Sequence, residues 1–398
     1  MSRGRGRTGR SQLPRSRQWR PWLAGIGLGA AALAAAAAPP GLQVAERWEL
    51  AAPGVLATPC GPGIVANGML AVVTAWSLSP TGAKALEPHL WLVRQGDPGA
   101  LHVEPRLDGD ARLRHALLLA AWPVRADRIL ALFALRDSFG IVEVSGGGAV
   151  RVIATVKRPA GDIEVRRLAR TRDGSYVAAG RAQAAPFAMR LRDDGEVLWS
   201  QVRRDVASGV WTDVEERQDG GLVLVGQVSD AKGGAGGMTA SVLARLDAQG
   251  NVVQETRQAA EQAIAVGPPE RPMLLARDPQ ARTWGLRPFT AGADRSAAVQ
   301  LSGELQAGGW LARSARLDDD SAAISELLPG LRADVAVIRA DGVIRRSEPI
   351  GGVIAAPSAL LAAGAEGSVL ALFPGVPRQR AGGGVEGGPV LVRLTQGQ

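Results

Sequence analysis

Residues 218–256 read QDGGLVLVGQVSDAKGGAGGMTASVLARLDAQGNVVQET. Two short apolar runs, LVLVG and SVLARL, each stand beside a turn rich in Asp and Gly, and a glycine-rich loop separates them. Residues 172–202, RDGSYVAAGRAQAAPFAMRLRDDGEVLWSQV, contain the same parts in the same order. Short apolar segments bounded by Asp-Gly turns are typical of β-hairpins. The repeated phrase therefore predicts antiparallel strands arranged in equivalent units.

The phrase occurs seven times along the chain. The second strand of each unit is predicted to begin at Gly68, Arg128, Ser175, Gly221, Arg271, Ser321 and Gly367, 46 to 60 residues apart. The third strand is predicted to begin at His89, Phe139, Phe187, Ser241, Ala297, Val335 and Pro389. Four short strands in a period near fifty residues are typical of propeller blades. The sequence predicts an all-β, seven-bladed β-propeller; two β-sandwiches, the alternative fold, would not produce seven-fold regularity.

The last unit stops at TQGQ, directly after its third strand. The segment ERWELA, from Glu46, precedes the first unit and is similar to the outer-strand text GEVLWSQ of residues 195–201. We therefore expect an N-terminal strand to complete the last blade, because a ring of blades is stable only when its last sheet has no open edge. Trp48 should then lie beside residues 390–394, VLVRL.

The formal net charge of +8 is concentrated in the N-terminal segment. Seven arginines and no acidic residue stand in residues 1–20, so the rest of the chain is nearly neutral, and this argues against nucleic-acid binding. The arginines precede an apolar run, Pro21–Ala38. Together, the basic segment and the apolar run predict a signal peptide or an uncleaved membrane anchor over residues 1–38. Residues 39–398 are predicted to form the propeller, and export to the periplasm or the exterior is expected.

The phrases DGSYVAAG…FAMRLRDDGEVLWS and DGGLVLVG…SVLARLDAQGNVVQE resemble the repeats of bacterial exported β-propellers of the delta-60 and quinoprotein-like type. The resemblance is close over residues 172–254. It implies a propeller outside the cytoplasm, in families whose members have diverse roles. DDGEVLWS also resembles the quinoprotein docking motif, but its Trp199 has no counterpart in NVVQET or VIRRSE, so the resemblance does not imply quinone binding.

Residues with catalytic or metal-binding chemistry are scarce. The only histidines, His89, His102 and His115, are predicted on three different strands with no acidic residue at matching spacing, so packing or surface roles are expected. Cys60 is the only cysteine, which excludes an internal disulfide. No nucleophile motif or paired-carboxylate pattern is present. The sequence predicts no catalytic residue, no cofactor and no metal.

The tryptophans are the clearest candidates for a recognition surface. Trp76 and Trp284 are predicted in loops between second and third strands, and Trp211 near the start of an inner strand, which places them at one end of the propeller. The loop DPQARTWGLRPFTAGAD, from Asp278, combines aromatic and guanidinium groups, as binding surfaces do. The candidate surface comprises Trp76, Trp211, Arg282, Trp284, Arg287 and Phe289. Alternatively, the tryptophans pack between blades.

Two functions are compatible with these features. The first is an extracytoplasmic binding or scaffold propeller whose partner is an envelope or extracellular protein, a glycan or a small ligand. The second is a hydrolase or lyase acting in the central channel. Inner-strand segments such as IAAPSALLAA and VLATPCG are apolar and small, and only WTDVEERQ, from Trp211, is polar. The sequence therefore favours binding over catalysis.

Overall fold

The structure, a computed structural model, describes residues 41–52, 55–78, 86–157, 161–229, 240–259, 263–277, 283–289, 299–302, 305, 312–317, 321–328, 332–354, 360–379 and 385–397. Within these ranges nearly all regular structure is β-strand, and the helical turns are Leu107–Gly109 and Ala365–Gly367. No helix in this part of the chain has the length and apolar character needed to cross a bilayer.

The strands form seven consecutive antiparallel sheets, which we number blades 1 to 7 in chain order. The inner strands are Thr58–Asn67, Leu117–Arg125, Ile163–Arg170, Ser208–Glu216, Ala263–Val266, Ala312–Leu317 and Leu360–Ala363. The second strands are Leu70–Leu78, Arg128–Ala134, Tyr176–Ala182, Leu222–Ser229, Met273–Arg277, Ser321–Leu328 and Val369–Pro374. The third strands are Leu86–Arg94, Ser138–Ser145, Ala185–Leu191, Ala240–Leu246, Trp284–Pro288, Arg332–Arg339 and Pro389–Gln396. The outer strands of blades 1, 2, 3, 4, 6 and 7 are Ala100–Val103, Val150–Lys157, Val197–Val202, Val252–Ala259, Ile344–Arg346 and Leu42–Glu49. The chain is a seven-bladed β-propeller, as the repeat predicts.

The N-terminal strand completes blade 7. Leu42–Glu49 pairs antiparallel with Pro389–Gln396, and Trp48 stands opposite Leu391. The strand order of this sheet, from outside to inside, is Leu42–Glu49, Pro389–Gln396, Val369–Pro374 and Leu360–Ala363. The predicted ring closure is therefore confirmed, with Trp48 beside the expected strand.

Each blade buries both of its faces against its neighbours. The buried side chains of the described residues fall into seven apolar clusters, one at each junction between successive blades. At the junction of blades 2 and 3, the rings of Trp122 and Tyr176 lie 5.2 Å apart, and those of Phe139 and Phe187 lie 5.6 Å apart. Burial on both faces explains why the second and third strands are mainly apolar instead of alternating regularly with polar residues.

Blade 5 departs from the predicted arrangement. Its third strand was expected at Ala297, but Trp284–Pro288 occupies that position and pairs with Met273–Arg277. Val299 bridges to Leu286 of that strand, so the segment after Ala297 lies on the outer side of the third strand. The physical reason is the pattern WGLRPF, whose Leu286 and Phe289 are buried.

The outer strand of blade 3 also contacts its neighbour. Trp199 donates a hydrogen bond of 3.2 Å from its indole nitrogen to the carbonyl of Ala248 in the last turn of blade 4. Gly250 of the same turn has φ +88°, and a Cβ atom there would lie 2.7 Å from the Trp199 ring. Glycine therefore serves two needs at this position, the left-handed turn and the close approach of the indole.

Candidate functional site

An ion pair joins the inner strands of two neighbouring blades. Arg167 lies on the inner strand of blade 3, and its Nε stands 3.4 Å from Oδ1 of Asp213 on the inner strand of blade 4. Its Nη1 also donates a hydrogen bond of 3.1 Å to the carbonyl of Leu361 on the inner strand of blade 7. Because blades 3 and 7 are three positions apart in the ring, this side chain links inner strands that are not neighbours. Asp213 is 4% exposed, so the ion pair is buried among the inner strands.

A β-bulge directs Arg167 into the channel. The register of the inner strand shifts between Val165 and Arg167, so the alternation of inward and outward side chains is interrupted there. Sequence reasoning identified the segment containing Asp213 as the polar exception but missed Arg167. The segment IEVRRLAR contains two adjacent arginines, and in a regular strand the side chains of Arg166 and Arg167 point to opposite faces. This pair was the sequence signal that one of the two arginines faces inward.

The predicted recognition residues do not form a single surface among the described residues. Trp211 and Phe289 are each 2% exposed and belong to the apolar clusters between blades 3 and 4 and between blades 4 and 5. Trp76 and Trp284 are half-buried and pack at two further junctions. The alternative expectation, that tryptophans wedge between blades, describes these positions better.

Two corrections concern their secondary structure. Trp76 and Trp284 were expected in loops, but Trp76 lies within the second strand of blade 1 and Trp284 begins the third strand of blade 5. Arg287 is half-buried on that same strand. Arg282 lies outside the described residues. A contact role for the partly exposed residues Trp76, Trp284 and Arg287 stays a prediction.

A pocket is formed where the ring closes. The connection between the second and third strands of blade 7 contains a short hairpin, Arg378–Gln379 and Val385–Glu386, beside the end of the N-terminal strand. Together they enclose a cavity of about 380 Å³. We call it the closure pocket; its lining includes Arg47, Glu49, Leu50, Val376, Arg378 and Glu386.

Charged groups of both signs line the closure pocket. Arg378 donates a hydrogen bond of 3.0 Å from Nη2 to Oε2 of Glu49. Arg47 donates one of 2.8 Å to the carbonyl of Gly351 in the segment that follows blade 6, and its Nη2 stands 3.6 Å from Glu49. Because Arg378 and Glu49 are more than half exposed, solvent screens this pair and it can exchange partners readily.

An apolar rim adjoins the closure pocket. Four aliphatic side chains there are between 41% and 50% exposed, namely Leu56, Ile354, Val376 and Val385. Backbone contacts gather them: Leu56 bridges to Gly387, and Ile354 donates its amide hydrogen to the carbonyl of Pro374. Clustered exposed aliphatic groups beside a charged entrance are typical of surfaces that bind a partner. Sequence reasoning missed this region because only the folded loops bring its parts together.

The histidines also differ from expectation. His89 and His102 lie on the paired third and outer strands of blade 1 and stand in contact, whereas His115 is exposed on a separate segment. The expectation that the three would not converge is therefore correct for His115 and wrong for the other two. The reason is that residues thirteen apart in sequence face each other across an antiparallel pair.

Comparison with known proteins adds the fold alone. No protein-family model matches the chain. No curated protein matches it either. Among solved structures, BamB from Moraxella catarrhalis is similar, with 10% identity and a TM-score of 0.39 over 89% of this chain and 99% of that one. The WD40 domain of Toxoplasma gondii coronin has 11% identity and a TM-score of 0.49 over 90% and 89%.

A peptidase of known structure is similar over part of its length. Pyrococcus horikoshii acylaminoacyl peptidase has 10% identity and a TM-score of 0.47, over 80% of this chain and 49% of that one. The present chain thus spans about half the length of the peptidase. A propeller fold by itself does not assign an activity.

Proposed function

We propose that the chain is an extracytoplasmic binding propeller that holds a segment of a partner protein at the closure pocket. The observation that carries this proposal is the apolar rim of Leu56, Ile354, Val376 and Val385 beside the charged entrance. Apolar side chains can bury against a partner, while Arg378 and Glu49 can pair with its polar groups. An amphipathic peptide segment satisfies both, whereas a glycan or a small ligand would leave much of the rim exposed.

Catalysis in the channel has less support. The buried ion pair that joins the inner strands of blades 3 and 4, Arg167 and Asp213, is internally compensated, and its guanidinium is hydrogen-bonded to Leu361. A hydrolase or lyase needs a group that is free to exchange a proton with substrate. The described inner strands therefore favour a structural role for this pair over a catalytic one.

Export is the second part of the proposal, and its support is the sequence of residues 1–38, which lie outside the described residues. The test is a fusion of residues 1–60 to a reporter that is active only outside the cytoplasm. We expect activity from this fusion and none when the arginines of the leader and the apolar run are deleted. A stable but inactive fusion would remove the extracytoplasmic assignment while leaving the binding proposal intact.

The binding proposal is tested by capture from envelope extract on the purified chain, followed by mass spectrometry. A double variant, Val376→Ser with Val385→Ser, should lose a captured protein, because it removes two of the four rim side chains. Val253→Ser is the matched control, since Val253 is 60% exposed on the outer strand of blade 4, away from the rim. Equal capture by the double variant and the control, with unchanged melting temperatures, would show that the rim is not the binding surface.

A further inference from the structure

Two histidines and a glutamate converge on the outer half of blade 1. Nδ1 of His89 and Nε2 of His102 are 3.2 Å apart. Oε1 of Glu104 lies 3.8 Å from the first of these atoms and 3.9 Å from the second. Three potential ligand atoms thus form a compact, nearly equilateral triangle.

The pairing of two strands creates this triangle. Leu86–Arg94 and Ala100–Val103 are antiparallel, with Trp91 opposite His102. His89 is two residues from Trp91 and therefore lies on the same face of the sheet. Glu104 comes directly after the outer strand, at the position across from His89. The rings stack accordingly, with Trp91 4.9 Å from His102 and 5.9 Å from His89.

The dimensions of the triangle match a transition-metal ion. A triangle with sides of 3.2, 3.8 and 3.9 Å has a point about 2.1 Å from all three corners. Zinc lies about 2.0–2.1 Å from imidazole nitrogen and about 2.0–2.2 Å from carboxylate oxygen. An ion can therefore reach all three atoms with little movement of the side chains. Calcium, which takes six or more oxygen ligands, does not suit this donor set.

The surroundings of His89 also favour metal binding. Its other ring nitrogen, Nε2, lies 2.8 Å from Oγ of Ser77, and both residues are buried. When Nε2–H donates to this hydroxyl, the lone pair of Nδ1 points to His102 and Glu104, which is the tautomer a metal requires. Burial lowers the pKa of His89, and the neighbouring His102 lowers it further. Burial also lowers the pKa of His102.

We propose that His89, His102 and Glu104 bind a divalent transition-metal ion, with zinc the best fit. Glu104 is 64% exposed and His102 22%, so the ion can enter from solvent and keeps a coordination position for water or for a partner's side chain. Trp91, which stacks on both imidazoles, packs in the same apolar cluster as Trp48 and Leu391 of blade 7. The ion therefore joins the third and outer strands of blade 1 directly beside the strand that closes the ring.

Zinc binding to the untagged full chain tests this proposal. The protein is treated with a chelator, dialysed, and titrated with zinc in excess magnesium, using a competing zinc indicator and thermal unfolding as readouts. We expect one equivalent of zinc to bind and to raise the melting temperature, since a ligand that binds only the folded state stabilises it. Cobalt should give the visible absorption bands of a four-coordinate site with nitrogen and oxygen ligands.

Three variants and one control make the test specific. His102→Gln and Glu104→Gln should each weaken zinc binding by at least about ten-fold, and Ser77→Ala should weaken it by about ten-fold through the orientation of His89. Glu104→Gln alters an exposed side chain, so its folding is expected to be unaffected and is checked by circular dichroism. His115→Gln, which changes an exposed histidine outside the cluster, should bind zinc like the parent. Absence of stoichiometric binding by the parent, or equal binding by Glu104→Gln and His115→Gln, would overturn the proposal.

Discussion

The indole nitrogen of Trp48 donates a hydrogen bond of 2.8 Å to the carbonyl oxygen of Asp97. Trp48 belongs to the N-terminal strand in blade 7, and Asp97 belongs to the turn between the third and outer strands of blade 1. Two residues earlier, the carboxylate of Glu46 accepts hydrogen bonds of 3.0 and 3.1 Å from the amide of Gly96 in the same turn. The N-terminal strand therefore completes one blade and fastens it to the next.

Truncation of Trp48 should destabilise the ring. Trp48 is 3% exposed, so we expect Trp48→Ala to lower the free energy of unfolding by about 3–5 kcal/mol through lost packing. Trp48→Phe keeps most of the packing and removes the indole donor, and its expected cost is about 1 kcal/mol. Urea unfolding of the parent and both variants measures the difference. Equal stability of Trp48→Ala and the parent would mean that the ring does not depend on this strand.

A buried arginine in blade 3 forms a second link between blades. Arg190 is 5% exposed and donates hydrogen bonds of 2.9 Å to Ser175 and 3.1 Å to Asp173 in its own blade. Its Nη2 also stands 3.7 Å from Glu216 of blade 4. Burial alone would raise the pKa of Asp173, but hydrogen bonds from Thr171 and Ser175 and the charge of Arg190 hold it well below its ordinary value.

Removal of this arginine should be costly. Arg190→Met keeps much of the aliphatic volume but leaves the carboxylate of Glu216 buried without its cation, and we expect a loss of about 3–5 kcal/mol. Arg192→Met is the matched control, because Arg192 forms an exposed ion pair with Glu196, and this variant should lose about 1 kcal/mol or less. Chemical denaturation of both variants provides the comparison. A similar loss in the two would show that burial of the network contributes little.

Sequence reasoning succeeded where the repeat itself carried the information. The seven units, the strand order within them and the closing role of Trp48 follow from matching one phrase along the chain. The same phrase also contains the buried network: Ser175 and Arg190 of blade 3 correspond to Ser368 and Arg393 of blade 7, where Nε of Arg393 donates 3.1 Å to the serine hydroxyl. That recurrence was visible in the text as DGS…MRL and EGS…VRL.

The candidate sites were harder to predict because they depend on pairing and on loop folding. Contact between His89 and His102 requires the register of two strands, and the inward turn of Arg167 requires a bulge. The apolar rim joins segments from three connections, among them those of Leu56 and Val376, which are far apart in sequence. Composition and spacing do not show which distant residues come into contact. Aromatic content therefore pointed to tryptophans such as Trp211, which is 2% exposed and packs between blades.

Mutation can separate packing from recognition at the candidate surface in blade 5. Phe289 is buried between blades 4 and 5, so Phe289→Ala should lower the free energy of unfolding by about 3–5 kcal/mol. Arg287 is half-buried on the strand that ends just before Phe289, and Arg287→Gln should lower the free energy of unfolding by about 1 kcal/mol at most. Thermal melts of both variants, with capture assays on Arg287→Gln, measure the two roles. A stable Phe289→Ala variant that loses a bound partner would restore Phe289 to the recognition surface.

A buried aspartate in blade 6 should make stability depend on pH. Asp334 is 3% exposed, and its Oδ1 has no hydrogen-bond partner among the described residues, whereas Arg346 stands 3.3 Å from Oδ2. Burial raises the pKa of Asp334 above its ordinary value of 3.8, and Arg346 offsets only part of this rise. The folded state therefore holds the proton more tightly than the unfolded chain does.

The sign of the effect follows from this difference. Above pH 3.8 the unfolded chain releases the proton first, so the stability contributed by protonated Asp334 declines as the pH rises toward the pKa of the folded state and is absent above it. Asp334→Asn cannot ionise and loses this dependence. Its denaturation midpoint should therefore improve relative to the parent as the pH rises from 3.8 through the raised pKa of the folded state. Asp341→Asn, which removes a carboxylate at a half-exposed turn position, is the matched control for the loss of one charge. A constant difference between Asp334→Asn and the parent across this range would mean that Arg346 fully compensates the buried charge.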